Sequence, residues 1–275
     1  MPRHQGQPHH ESDEYVLGTH DEELTRLGFQ HQIWRSQMYA LWERAGFVPG
    51  RRMLDVGCGP GFTTVDLAQI VGPSGQVTAV DVSERFIAHL RSLNHGNITG
   101  LVHDVQDLQL PPASFDAAYE RWVLCFVPNP QDVIEGVAKS LRSGGVFAIQ
   151  DYYNYSALKL APPSRAMERV VAAVNESWKQ RGGDPDVGCR LPEMLQKHGF
   201  RITHLAPIVR LATPESLLWQ WPTTFFRSYV LTLVKLGLLS DSEAREFDED
   251  WTAHTHNPAA FFTTPPVIEI VAVKA

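Results

Sequence analysis

The stretch Met53-Leu54-Asp55-Val56-Gly57-Cys58-Gly59-Pro60-Gly61 decides how the fold is read. Its apolar start is a short buried strand, its end is a glycine-rich loop, and Thr63 to Val71 continues at helical spacing. Glycines between a strand and a helix let the backbone turn tightly and approach a ligand, because no Cβ stands in the way. The spacing is G-x-G-x-G, with Phe62 where a dinucleotide fingerprint has its third glycine. Asp55 lies two positions before the first glycine. A carboxylate there suits a ligand bearing an ammonium group better than an anionic diphosphate.

Working outward, Val77 to Val80 is a second buried strand that ends at Asp81, twenty residues beyond Gly61. That is where a carboxylate accepts hydrogen bonds from ribose hydroxyls. Ile98 to Val102 is a third strand, followed by Asp104 in reach of an adenine edge in the same crevice. Further strands are expected at Phe115 to Tyr119, Val146 to Ile149, Phe200 to Leu211 and Val267 to Val273. Helical patterns separate the early ones: Ser83 to Leu93, and a helix opening at Asn129-Pro130, with Asn as cap and Pro at the first helical position. Strands alternating with helices predict a Rossmann-like α/β fold, a seven-stranded, mostly parallel sheet with helices on both faces.

The flanks are organised differently. Residues 1–14 are polar and His-rich and are expected to form a disordered tail without the apolar run of a signal peptide. Thr19 with Glu22 fits a capping box, and an N-terminal helical cap is expected over 15–36. A single domain over 15–275 follows, with its core at about 37–151, 190–211 and 264–275. Helical lid insertions are expected at about 152–189 and 212–263, the second interrupted by Pro222 and restarted by a capping box at Ser240 and Glu243.

Composition narrows the function. Among 275 residues the formal net charge is −7, which argues against a nucleic-acid partner, whose phosphates demand clustered Lys and Arg. Cys58, Cys125 and Cys189 make neither a disulfide framework nor a zinc-type spacing, so a cytoplasmic location is expected. The most apolar later stretch, Tyr229 to Leu239, contains Lys235 and is too short to span a bilayer. The expected partner is a small-molecule substrate, and the expected assembly a monomer or homodimer.

Residues 51–151 resemble a class I S-adenosylmethionine-dependent methyltransferase, through MLDVGCGPG, VTAVDVS, HDVQDLQLP, FDAAYERWVLCFVPNP and LRSGGVFAIQDY. The flanking YVLGTHDEELTRLGFQ and GGDPDVGCRLPEMLQKHGF extend the likeness to bacterial small-molecule enzymes of the ubiquinone/menaquinone-biosynthesis type. The resemblance implies S-adenosyl-L-methionine as cofactor and a last strand antiparallel to the rest. It implies that Asp55, with the backbone of Gly57, Cys58 and Gly59, holds the methionyl ammonium, and that Gly61 permits close helix approach. Asp81 would bind the ribose hydroxyls, Val82 the adenine ring, Asp104 the adenine amine, with Val105 beside it. The backbone at Glu120 and Arg121 would border the methionyl group, Tyr15 would close over the sulfonium, and Arg26 and Gln30 are candidate partners for the cofactor carboxylate.

The expected reaction is metal-independent, in-line methyl transfer to a small apolar or aromatic metabolite, since the lid segments are rich in Trp, Tyr and Phe. No metal-ligand set is visible around Asp151. Catalytic candidates are Tyr15, Asp151, Tyr152 and His254, with Asn154, Arg227 and His256 as further polar groups of the lid. Two alternatives stay open on the residues alone: an NAD-type oxidoreductase, and a non-catalytic cofactor-binding regulatory protein.

Overall fold

The computed structural model describes residues 21–275. The tail 1–14, Tyr15 and the Thr19 cap lie outside the described residues. Among the described residues helix α1 (Asp21–Arg44) comes first, one 24-residue helix that runs beyond the 15–36 expected for the cap. The central sheet holds β1 (Arg52–Val56), β2 (Gln76–Asp81), β3 (Ile98–Val102), β4 (Phe115–Arg121), β5 (Leu141–Tyr152), β7 (Phe200–Ile208) and β10 (Val267–Lys274). Their order is β3-β2-β1-β4-β5-β10-β7. β10 runs antiparallel to both β5 and β7, and the pairings among β1 to β5 are parallel.

The strands read as continuous apolar runs because both faces are covered. Met53 faces Met38, Leu41 and Trp42 of α1 and Leu67 of α2 (Phe62–Val71). Leu54 and Val56 face the opposite core, with Val133, Ile134 and Val137 of α4 (Pro130–Ser140). Successive side chains of a strand point to opposite faces, so one five-residue run anchors both layers. α3 (Glu84–Ser92), capped by Ser83 Oγ accepting from the Phe86 amide, packs near Gly61.

Beyond β5 the chain builds a helical layer over the strands' C-terminal ends. It contains α5 (Arg165–Gln180), α7 (Gln220–Lys235) and α8 (Asp241–Thr255), whereas α6 (Leu191–Lys197) packs on β7 and α4 as part of the core. Pro222 does not interrupt this layer; it sits in the first turn of α7, where a proline removes no needed hydrogen bond. The Ser240–Glu243 capping box opens α8. A small antiparallel sheet, β6 (Lys159–Ala161), β9 (Phe261–Thr263) and β8 (Leu211–Ala212), ties the segments together. The strand expected over 200–211 therefore divides between two sheets. Arg210 lies at the division, its amide donating to Thr264 Oγ1 and its guanidinium to the Ile33 carbonyl at 2.6 Å. Among the described residues no helix is long and apolar enough to cross a membrane.

Candidate active site

From β1 the chain winds to β2 and β3 on one side, then crosses to β4 and β5 on the other. Such a switch leaves a crevice at the strands' C-terminal ends, between β1 and β4. A cavity of about 570 Å³ lies there, walled by the glycine loop, the strand ends, α1 and the lid. Its volume is within the ~300–1,000 Å³ of ligand sites.

The glycine loop is shaped by left-handed backbone. Gly57 has φ +66, and a Cβ built there would stand 2.4 Å from Val123 Cγ2, so the close approach to the β4 loop requires glycine. Gly61, at φ +91, is the N-cap of α2. It does not line the cavity; its absent Cβ lets Leu90 of α3 pack against the loop. Cys58 donates its amide to Val80 O at 2.9 Å, tying the loop to β2.

Asp81 grips the same loop from the end of β2. One carboxylate oxygen accepts from Gly59 N at 2.8 Å, the other from Ser83 N at 2.9 Å. Burial pushes its carboxyl above the usual aspartate range, against the pull of these amides. Asp55 is buried at 2 % exposure and takes a 2.6 Å bond from Thr64 Oγ1. Desolvation raises its pKa from 3.8 to about 7, opposed by the Thr64 bond and the Arg121 charge. A buried carboxylate short of donors on the wall of a cavity is suited to receive a cation.

Arg26, Gln30, Asp55, Gly57, Cys58, Gly59, Asp81, Val82, Asp104, Val105 and Arg121 all line this one cavity. Glu120 does not. It is fully buried beneath the wall, with Oε2 accepting from Val123 N and Oε1 lacking a partner. Burial, with Asp151 nearby, holds its carboxyl well above the usual range. Asp151 is likewise off the wall, accepting from the amides of Cys125 (3.0 Å) and Tyr152 (2.7 Å), and burial lifts it to about 7. Tyr152 lines the cavity; Asn154, Arg227 and His256 do not. His254 is a lid strut rather than a wall residue: its ring nitrogens face the Asp250 and Pro162 carbonyls at 2.8 and 2.9 Å.

The α1 residues play different parts. Arg26 is held by Glu23 through bonds of 2.7 and 2.6 Å, and Gln30 Oε1 accepts from both Arg26 and the Trp221 indole. These contacts dock the lid on α1. The guanidinium of Arg121 instead makes long contacts, 3.4 Å to His31 Nδ1 and 3.4 Å to Thr63 Oγ1. His31 is oriented from behind by Asp66 Oδ2 at 3.0 Å, itself clamped by Arg35. The pairing of His31 with Asp66 joins positions 35 apart, a relation without local sequence signal. The spacing of Leu27, Gln30, His31 and Trp34 does mark the inward face of α1.

The rest of the cavity is an aromatic chamber. Trp122 is its centre, a buried residue with φ 55, where a bulky side chain stores strain of about 1–3 kcal/mol. Its ring meets Trp34 edge-on at 5.2 Å and stacks on Tyr152 at 5.6 Å and Trp221 at 6.1 Å. Deeper, Trp178 contacts Phe126 at 4.7 Å and Tyr155 at 4.8 Å. Lid aromatics thus reach the crevice, while Trp219, Phe247 and Trp251 stand behind its wall, Phe247 and Trp251 packing against the lining Phe226. Among the described residues no three His, Cys, Asp or Glu side chains are grouped as metal ligands.

Comparison with known proteins agrees with this architecture. Residues 54–149 match the model of the Methyltransferase domain family. The chain is 26% identical over 227 residues to a sterol 24-C-methyltransferase of Eremothecium gossypii, covering 78% of this chain and 56% of that protein. It is 32% identical over 120 residues to a demethylmenaquinone methyltransferase of Lactococcus lactis, covering 42% and 46% respectively. The chain thus spans about half the length of these curated relatives. The fold is shared with BH2331 of Bacillus halodurans C-125, at 19% identity and TM-score 0.60, over 87% of this chain and 99% of that one. Residues 54–149 thus match a methyltransferase domain, and the sheet that contains them has the fold of a class I S-adenosylmethionine-dependent methyltransferase.

Proposed function

We propose that the protein transfers a methyl group from S-adenosyl-L-methionine to a small apolar or aromatic acceptor, without a metal. The observation that carries this reading is one cavity with two unlike halves. Three strand-end acids surround a glycine cradle at one end, and an aromatic chamber closed by the lid forms the other.

The acidic half fits the cofactor in detail. Asp55 and the backbone of the 57–59 loop receive the ammonium group. Asp81, already oriented by two amides, receives the ribose hydroxyls, and Asp104 with Val82 and Val105 borders the adenine. Arg121, with its long contacts, is the better-placed partner for the cofactor carboxylate, since Arg26 is neutralised by Glu23. The bound cofactor supplies a methyl group activated by its sulfonium. The chain's own task is alignment and exclusion of water, which Trp122, Tyr152 and Trp221 perform by walling the junction of the two halves. The oxidoreductase alternative has no observation in its favour: buried Asp55 stands against the loop that would cradle a diphosphate. The same reading places the protein in the cytoplasm, which its three free cysteines suit, as a monomer or homodimer without a nucleic-acid partner.

A pH dependence follows from Asp55. Its proton must leave before it holds an ammonium group, so affinity for S-adenosylhomocysteine rises through pH 7. About a tenfold gain between pH 6 and pH 8 is expected for a group at about 7, and Asp55→Asn should abolish the slope. In the ligand-free fold the sign is opposite. A carboxyl raised from 3.8 to about 7 contributes stability that is present below pH 4 and lost as pH rises through 7. Calorimetric titration across this range checks the first, and denaturant unfolding the second.

The reading itself is tested by incubation with methyl-labelled S-adenosylmethionine and a panel of phenols, quinols, sterols and prenyl alcohols. Label transfer to an acceptor is expected; cofactor binding without transfer to any of a broad panel would favour a binding protein.

A further inference from the structure

We infer that the acceptor carries a hydroxyl or carbonyl oxygen, and that the hydroxyls of Tyr152 and Tyr155 hold this oxygen within the aromatic chamber. The inference rests on the methyl-transfer reading above and names the substrate class of that site.

The two phenols are exceptions in this fold. Buried tyrosine hydroxyls normally find a partner, and the other two buried tyrosines do. Tyr119 donates to Gln150 Oε1 at 2.8 Å, and Tyr229 pairs with Ser177 Oγ at 2.9 Å. Tyr152 and Tyr155 are as deeply placed, at 6 % and 3 % exposure. Yet neither hydroxyl has a hydrogen-bond partner among the described residues. Both residues are held by their backbone instead, the Tyr152 amide donating to Asp151 Oδ1 at 2.7 Å and the Tyr155 amide to Asp186 Oδ1 at 2.9 Å. Nor are these hydroxyls sealed inside the protein, as the indole nitrogens of Trp34 and Trp122 and Oε1 of Glu120 are. Both tyrosines line the cavity, so their hydroxyls open into it.

The surroundings keep them there as donors. The two rings meet edge-on at 5.1 Å, and Tyr152 also stacks on Trp122, so neither ring turns freely. Burial raises both phenols above their usual range, and they stay protonated. The complement of two such donors is an oxygen with lone pairs. A hydrocarbon that expels water from the chamber strands both hydroxyls, whereas a hydroxyl or carbonyl oxygen replaces the bonds that water makes. A role limited to packing uses the rings alone and is served equally by phenylalanine.

The experiment titrates the full protein, saturated with S-adenosylhomocysteine, with 4-ethylphenol, 4-ethylacetophenone, 4-ethylaniline and 4-ethyltoluene. The ethylphenyl body is constant and only the substituent varies. For at least one oxygen compound, affinity relative to ethyltoluene is expected to fall about tenfold or more in the double variant Tyr152→Phe with Tyr155→Phe, each single variant giving part of the loss. The phenol and the ketone distinguish a hydroxyl from a carbonyl acceptor. An unchanged ratio for both oxygen compounds, or a larger fall for the aniline than for either, would overturn the inference. Urea unfolding of the single variants supplies a second check. Their midpoints should not drop, because no bond within the protein is lost; a drop would show that the hydroxyls already have partners and would also overturn it. Failure of S-adenosylhomocysteine to bind would count against the cofactor reading instead. The same four probes, titrated into the protein alone, would then still decide the acceptor class.

Discussion

Replacing Asp81 by alanine is expected to lower affinity for S-adenosylhomocysteine by about 10²- to 10⁴-fold, two charge-assisted hydrogen bonds being worth roughly 1.5–3 kcal/mol each. The carboxylate sits at the end of β2 with its geometry set by Gly59 N and Ser83 N, so it meets the ligand without a rotamer search. Alanine removes both the ligand's acceptor and the tie that holds the glycine loop. The Asp81→Asn variant keeps one acceptor oxygen and loses the charge, so its affinity should fall between wild type and alanine. Calorimetry gives the affinities, and circular dichroism should show both variants folded. An unchanged affinity in the alanine variant would remove the ribose assignment.

The second large effect concerns stability. Gly61→Ala should cost about 2–5 kcal/mol, the sum of a left-handed backbone penalty and overpacking. The added methyl would stand 2.3 Å from Leu90 Cδ1 and 3.1 Å from Leu90 Cγ, with φ at +91. Leu90 is buried beside Cys58, Ala79 and Ile87, so it has little room to move. Gly59→Ala is the control. It shares a positive φ, +54, but nothing lies within 4 Å of its added Cβ, so only the backbone penalty of about 1–2 kcal/mol applies. Urea unfolding of the two variants separates the terms; equal destabilisation would show that the contact with Leu90 is not what requires glycine at 61.

The core is legible in the sequence because its signals are local. A strand buried on both faces must be apolar at every position, and Met53 to Val56 interrupts that run only with Asp55, the proposed ammonium ligand. The acids at the ends of β1 and β2 and after β3 are legible for the same reason: their meaning depends on position along a strand and on the order in which strands are wound. What escapes depends on distant pairing. The three short strands of the small sheet are two or three residues each, below any periodicity, and exist because Phe261–Thr263 finds partners 50 and more residues upstream. Pro222 misleads because a proline breaks a helix in its interior but not in its first turn. The bonds of Thr64 to Asp55 and Asp66 to His31 carry no pattern of their own. In the lid, the aromatic types are visible, but which of them face the crevice and which pack together is decided by tertiary contact alone.

S-adenosylmethionine is proposed to bind at the acidic end of a single cavity. Calorimetric titration with S-adenosylhomocysteine, with NADH titrated in parallel, addresses it most directly. Saturable one-to-one binding of S-adenosylhomocysteine, weakened in Asp81→Ala, is expected, with no heat from NADH. Binding of NADH with none of S-adenosylhomocysteine would contradict it.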